Sequence, residues 1–223
     1  MAFGSPFHLR QFTIMMVVLV MSVSLHELGH ALAADYLGDP GPRRAGRITL
    51  WPDKHLDPLG FAFMVITVLA GVGIGWGKPV IVNPGAFRKP RRDMLIVAIA
   101  GPVMNLLLAV VFGLIVRISL AASATSWITA TVGADYVLSR LVMAALGINL
   151  LLFFFNLIPI VPLDGSKVVA ALLPEHQSYQ YMKVMNQYGP FFLLAMFFFG
   201  GQIIGPIIGP AIQNATSLIT GLH

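Results

Sequence analysis

Apolar residues run from Phe12 to Leu25 with few breaks, give way to His26-Glu27-Leu28-Gly29-His30, and resume at Ala31-Leu32-Ala33-Ala34. The pattern predicts a first helix over 11–37, ended by the breaker cluster Gly38-Asp39-Pro40-Gly41-Pro42. A polar, basic stretch follows at 43–57, in which Gly46-Arg47-Ile48-Thr49-Leu50-Trp51 reads as a short strand. Residues 59–76 are apolar and carry glycines towards their end; Lys78-Pro79-Val80-Ile81-Val82-Asn83-Pro84 reads as a second short strand. After a basic loop with Arg88, Lys89, Arg91 and Arg92 comes a long apolar helix over 94–120. A loop at 121–135 rich in Ser, Thr and Ala leads to a helix over 136–158, closed by Pro159 and Pro162. A short helix at 165–173 stops at Pro174. A polar segment at 175–187 then precedes a last apolar segment at 189–213, interrupted by Gly200-Gly201, Pro206 and Pro210, and a weakly amphipathic tail. No internal repeat and no low-complexity linker occurs.

Composition turns these apolar runs into membrane spans. Of the 223 residues 57% are hydrophobic and 10% are charged, against about 25% charged in a soluble domain. The expected fold is an all-α polytopic membrane protein with about four to six transmembrane helices, a small membrane-associated β element and a re-entrant hairpin at 59–76. It forms one integral-membrane domain over 1–223, with a catalytic core at about 11–175 and a C-terminal helical segment at 189–223. The first run lacks a small-residue cleavage site and carries the polar motif, so it reads as a retained span. The net charge of +5 sits in short loops beside apolar runs, which fits a lipid bilayer with anionic headgroups and not nucleic acid.

The placement of charge also selects a topology. The loops at 43–57 and 78–92 are both rich in Lys and Arg, and the loop at 121–135 has none. A full span at 59–76 would put the two basic loops on opposite sides, against the positive-inside rule. A run of about 18 residues is barely a span, and its glycines suit an irregular turn. A hairpin makes both basic loops cytoplasmic.

Chemistry concentrates in the polar interruption of the first helix. His26 and His30 are four apart, so both imidazoles lie on one helix face and can reach one metal. Glu27 follows the first histidine and can serve as base towards a water there. This is the HExxH arrangement of zinc hydrolases, set where ionisable side chains are expensive and functional by default. Without cysteine, a third ligand must be His, Asp, Glu or Asn. Asp164, presented by the proline-broken Asn156-Leu-Ile-Pro-Ile-Val-Pro-Leu-Asp164-Gly165, is the best candidate; Asp35, Asp39, Asp53, Asp57 and His55 are rivals. At a rise of 1.5 Å per residue, His26 lies roughly 21 Å past Phe12 and Asn105 about 16 Å past Met94. The hairpin topology brings Asp164 to the same side as His30, and a full span would not. The competing structural roles are plain: Asp164 as a helix cap, Asn156 bonding carbonyls freed by the prolines, Asn105 mending a kink at Gly101-Pro102, and His55 with Asp57 structuring their loop. Gly29 leaves room for a neighbouring helix or substrate strand to approach closely.

The residues HELGH at 26–30, AGPVMN at 100–105 and NLIPIVPLDG at 156–165, in that order, resemble the site-2 proteases, which are intramembrane zinc metalloproteases. GRITLWPDKHLDPLG at 46–60 and GWGKPVIVNP at 75–84 resemble a compact branch without PDZ or CBS domains, from which Ile81 departs where proline is commoner. The resemblance covers roughly residues 20–175. It implies one Zn2+ per chain bound by His26, His30 and Asp164, with Glu27 activating the water. It also implies that Asn156 and Asn105 contact the substrate backbone or stabilise the oxyanion. The substrates would be transmembrane segments of other proteins, cut in regulated intramembrane proteolysis in a prokaryotic cell membrane. Extended residues at 46–51 and 78–83 would pair with such a substrate by strand addition. The alternatives are a non-proteolytic metal-binding membrane protein or transporter, and a catalytically dead scaffold; the intact Glu27 speaks against the scaffold.

Overall fold

Backbone amides in hydrocarbon must be satisfied within their own segment, and uninterrupted Leu, Val, Ile and Met runs answer that demand as helices. The computed structural model describes residues 6–70, 75–130, 133–203 and 205–222. It holds α1 (Pro6–Tyr36), α2 (Gly41–Arg44), α3 (Pro58–Leu69), α4 (Pro90–Ala121), α5 (Ser126–Thr129), α6 (Gly133–Asn156), α7 (Asp164–Leu172), α8 (Glu175–Ile203) and α9 (Gly205–Thr220). Helices α1, α4 and α6 are long and apolar enough to cross a membrane. Among the described residues there are these three such helices, not the four to six expected.

The three spans pack through small side chains, which let helix backbones approach where lipid supplies no hydrophobic drive. Val18 and Leu19 of α1 meet Ala145 and Ile148 of α6, and Ala109 of α4 meets Leu146 and Leu150 of α6. The tail is helical: Ile212, Ala215 and Ile219 of α9 lie on the α4–α6 cluster, and Arg117 donates to the Leu218 carbonyl at 3.3 Å. The polar segment 175–187 is also helical, the first half of α8. It holds no Gly or Pro before Gly189, so nothing in it ends a helix.

Both basic stretches lie at one end of the bundle. The Asp39 carboxylate, just past α1, accepts from the Asn83 amide at 2.7 Å, shortly before α4. Ala34, Phe87 and Val97 form a cluster across that junction. Helix α7 joins the same end, because Arg91 donates to the carbonyls of Ala171, at 3.3 Å, and Leu173.

The expected β element is absent among the described residues. The two extended stretches share one isolated bridge, Leu56 with Gly77, and a 2.7 Å bond from the Lys78 amide to the His55 carbonyl. A ladder cannot grow from these contacts. Gly46 turns the chain at φ +67°, Pro79 has no amide proton to donate, and the Arg47 guanidinium takes the Lys78 carbonyl. The short-strand candidates at 46–51 and 78–83 are therefore bends and extended chain, not strands.

With 12 residues, α3 is shorter than a crossing. Its start is close-packed by the returning chain: a Cβ on Gly60 would lie 2.9 Å from the Trp76 indole, and the Trp76 and Phe63 rings meet at a 40° tilt with centroids 5.2 Å apart. The turn expected between them, at 71–74, lies outside the described residues.

Candidate metal centre

His26 and His30 project from the buried face of α1, their rings edge to face with centroids 4.7 Å apart. Both are 6% exposed. Their Nε2 atoms lie 3.1 Å from each other, and each lies 3.0 Å from Oδ2 of Asp164. Asp164 arrives as the first residue of α7, delivered by the turn at Pro159–Leu163. Gly165 permits that turn: a Cβ there would lie 2.5 Å from the Ile158 carbonyl oxygen.

The far side of each ligand is already bonded. His30 Nδ1 lies 2.7 Å from the Val97 carbonyl oxygen. That oxygen can only accept, so Nδ1 carries the proton and Nε2 is a bare lone pair. His26 Nδ1 lies 2.6 Å from Asn105 Oδ1, which imposes the same tautomer. Lys167 Nζ donates to Asp164 Oδ1 at 2.9 Å, leaving Oδ2 to face the imidazoles. Three acceptor atoms thus converge with no proton among them, a donor set that calls for a cation. Zinc at about 2.0–2.1 Å from N and O ligands in tetrahedral array needs ligand separations of about 3.3–3.4 Å. The observed triangle meets that need with a small outward relaxation. His26, His30 and Asp164 therefore fit Zn2+.

Helix α4 lies directly against this triangle. A Cβ on Gly29 would sit 2.8 Å from the Ala100 carbonyl oxygen, so α4 is the neighbour that uses the gap at Gly29. A Cβ on Gly101 would sit 2.7 Å from His26 Nε2 and 2.6 Å from His30 Cε1.

Glu27 points to the open side. Its Oε2 accepts from the Val80 amide at 3.2 Å and lies 3.6 Å from Arg47 Nη2. It borders a cavity of about 420 Å³ whose walls include Leu19, Val23, Leu151, Leu152 and Phe155. Asn156 ends α6 on the cavity wall, its Nδ2 donating back to the Leu152 carbonyl at 2.9 Å. Asn105 is fully buried behind His26, away from the cavity.

The rival ligands have other partners. Asp35 pairs with Arg43 at 2.6 Å, Asp39 accepts from Gly41 and Asn83 amides, and Asp53 meets Lys54 at 3.1 Å on the surface. Asp57 caps α3 through the Gly60 amide. His55 is fully buried, with Nε2 2.8 Å from the Thr49 carbonyl. Burial pushes its imidazole below the ordinary value, aided by Arg47 and opposed by the Thr49 carbonyl and Asp53. With the folded value depressed, the stability His55 lends its loop is present above the unfolded value of about 6.5 and is lost as pH falls towards the folded one. Amide exchange over residues 47–57, corrected for intrinsic rates, should therefore quicken between about pH 7.5 and pH 5, and the trend should vanish in His55→Gln. Flat wild-type exchange would contradict this.

A family model, that of Peptidase family M50, matches residues 14–197. The chain belongs to the M50 family. Its HExxH motif and Asp164 turn both lie inside the matched region. YwhC of Bacillus subtilis (strain 168), provisionally named a zinc metalloprotease, is 33% identical over 211 residues, covering 93% of this chain and 91% of YwhC. Rip2 of Mycobacterium tuberculosis (strain ATCC 25618 / H37Rv), named in the same provisional way, is 31% identical over 183 residues, 80% of this chain and 64% of Rip2. Rip2 of Mycolicibacterium smegmatis (strain ATCC 700084 / mc(2)155) is 36% identical over 91 residues, 41% of this chain and 35% of that protein. No solved structure matches the chain. As an M50 peptidase the chain is a zinc metalloprotease of the membrane, and the site-2 protease resemblance holds.

Several residues at this M50 centre were not singled out by sequence. Val97 contributes only a carbonyl, which no side-chain pattern can announce. Lys167 follows Asp164 by three on a new helix, a spacing that does carry a signal. Arg47 falls in a stretch whose pattern predicts a strand.

Proposed function

We propose that this zinc metalloprotease hydrolyses peptide bonds in or near transmembrane segments of other membrane proteins, with its active site nearer the cytoplasmic face of a prokaryotic cell membrane. The observation that carries the reading is the position of Glu27 and the ligand triangle: beside a cavity with apolar walls, inside a bundle of three spans. An extended apolar segment could leave lipid for such walls at little cost. The side follows from charge. Arg43, Arg44, Lys54, Lys78, Arg88, Lys89, Arg91 and Arg92 flank the bundle end to which α7 brings Asp164, and the positive-inside rule assigns that end to the cytoplasm.

Zinc, when bound, would lower the pKa of water towards neutrality and polarise the scissile carbonyl. Glu27 takes the proton of the attacking water and delivers it to the leaving amine, a role for which its carboxylate is held by the Val80 amide and Arg47. His26 and His30 keep their Nε2 lone pairs inward because Asn105 and Val97 hold their Nδ1 protons. Lys167 orients Asp164. Asn156, on the cavity wall, contacts the substrate backbone. Asn105 serves through His26 and touches no substrate.

Purified protein co-reconstituted in vesicles with single-span substrates should cut them, and mass spectrometry should place the severed bond within the span or about one helical turn beyond it. Cuts confined to loops, with a free-peptide substrate turned over equally well, would contradict the proposal.

A further inference from the structure

A second buried amide stands behind the first. Asn149 of α6, 1% exposed, touches neither the ligand triangle nor the cavity. Its Nδ2 donates to the Ala145 carbonyl at 2.8 Å and to Ser22 Oγ at 2.9 Å. Its Oδ1 accepts from Asn105 Nδ2 at 2.8 Å. Asn105 Nδ2 also donates to the Ser22 carbonyl at 3.3 Å, and Asn105 Oδ1 faces His26 Nδ1 at 2.6 Å. One bond at each level thus joins all three spans.

The polarity of this chain of bonds is set at its far end. The Ala145 carbonyl can only accept, so the nitrogen of the Asn149 amide must face it and the oxygen must face Asn105. That oxygen can only accept in turn, so Asn105 presents its nitrogen to Asn149 and its oxygen to His26. An oxygen at His26 Nδ1 demands the Nδ1–H tautomer, which leaves Nε2 bare towards Asp164. An Asn105 amide turned by 180° would instead offer N–H to Nδ1. His26 would then carry its proton on Nε2, where the metal belongs. The Ser22 carbonyl, at 3.3 Å, is the weaker of the two groups opposing that turn, and Asn149 is the stronger.

We propose that Asn149 is a positioning residue: by fixing the orientation of the Asn105 amide it sets the tautomer of His26 and so the zinc affinity of the site. The inference rests on the zinc reading of His26, His30 and Asp164, and extends it to a residue two hydrogen bonds removed from a ligand. Partners of this kind typically govern metal affinity by 10–100-fold.

The test is one substitution made in two backgrounds, with zinc affinity measured by chelator competition on the purified full chain in detergent. Asn149→Leu keeps the volume and removes the polarity, and it should weaken zinc by about 10–100-fold. Asn105→Asp has acceptors on both sides, so it holds the His26 Nδ1 proton whichever way it is turned. In that background Asn149→Leu should cost less than about threefold, well under the usual effect of a disturbed metal partner. An equal loss in both backgrounds would show that Asn149 merely packs, and no loss in the native background would show that it does nothing for the metal; either overturns the proposal. Asn149→Ser guards against a leucine variant that does not fold. Its hydroxyl can donate to the Ala145 carbonyl, as serine does within helices, and accept from Asn105, so its affinity should stay within about tenfold of wild type. A Ser variant beyond that range would also count against the proposal. Cobalt(II) spectra supply a readout apart from activity: the d–d bands of the Ser variant should match wild type. A wild-type chain that binds no zinc at all would instead strike the underlying metal reading.

Discussion

Gly101→Ala should weaken zinc binding by at least about 100-fold, and proteolysis with it, while leaving the helical bundle folded. The added methyl would sit 2.7 Å from His26 Nε2 and 2.6 Å from His30 Cε1, closer than a Cβ approaches any heavy atom. Either the imidazoles turn away from Asp164 or α4 backs off from α1. Backing off would stretch the 2.6 Å bond from His26 to Asn105 and the 2.7 Å bond from His30 to the Val97 carbonyl, and so release both tautomers. Each escape spoils the triangle, so zinc affinity should fall by at least about 100-fold, the upper end of what a disturbed metal partner does. The cost to global stability is about 1–3 kcal/mol, as for other overpacked sites. Gly147→Ala on α6 is the matched control. A Cβ there meets nothing within 4 Å, so zinc content, cleavage and unfolding temperature should all stay near wild type. Metal analysis and thermal unfolding of both variants decide the matter. A Gly101→Ala protein with full zinc and full activity would mean that α4 does not rest on the ligands.

Why Gly101 escapes a reading of the sequence is instructive. Its neighbour Pro102 draws attention to a kink, and nothing in the local pattern tells which side chains lie across from a glycine. His26, Glu27 and His30 are legible because four-residue spacing puts two imidazoles on one face whatever the rest of the fold does. Asp164 is legible for a different reason: the prolines before it break a helix at membrane depth and leave one carboxylate there. The strands are where pattern misleads. Short apolar runs at Gly46–Trp51 and Lys78–Asn83 suit extended chain, but strand formation depends on a neighbour that can complete the ladder, and Pro79 together with the Arg47 side chain removes the donor and the acceptor such a neighbour would need. At 175–187, polarity alone does not announce a helix, yet the stretch is free of Gly and Pro and forms the first half of α8. Asn149 did carry a signal, a lone amide in an apolar run. Such residues in spans bond across helices, but which helix they reach is settled only by packing.

Glu27→Gln separates binding from chemistry. Glu27 is not one of the converging atoms: its carboxylate lies towards the Val80 amide, at 3.2 Å, and Arg47 Nη2, at 3.6 Å. Glutamine keeps the shape, and its amide oxygen can still accept from Val80. What it loses is the ability to take a proton from water and pass it on. Proton transfer by a positioned side chain contributes about a hundred- to ten-thousand-fold, so cleavage should fall by that factor with the metal retained. The measurement is therefore made on wild type and Glu27→Gln side by side, as zinc per chain and as rate of cutting of a single-span substrate in vesicles. The account predicts one zinc per chain in both proteins and cleavage in wild type alone. Cleavage in the variant at the wild-type rate, with zinc bound, would contradict it.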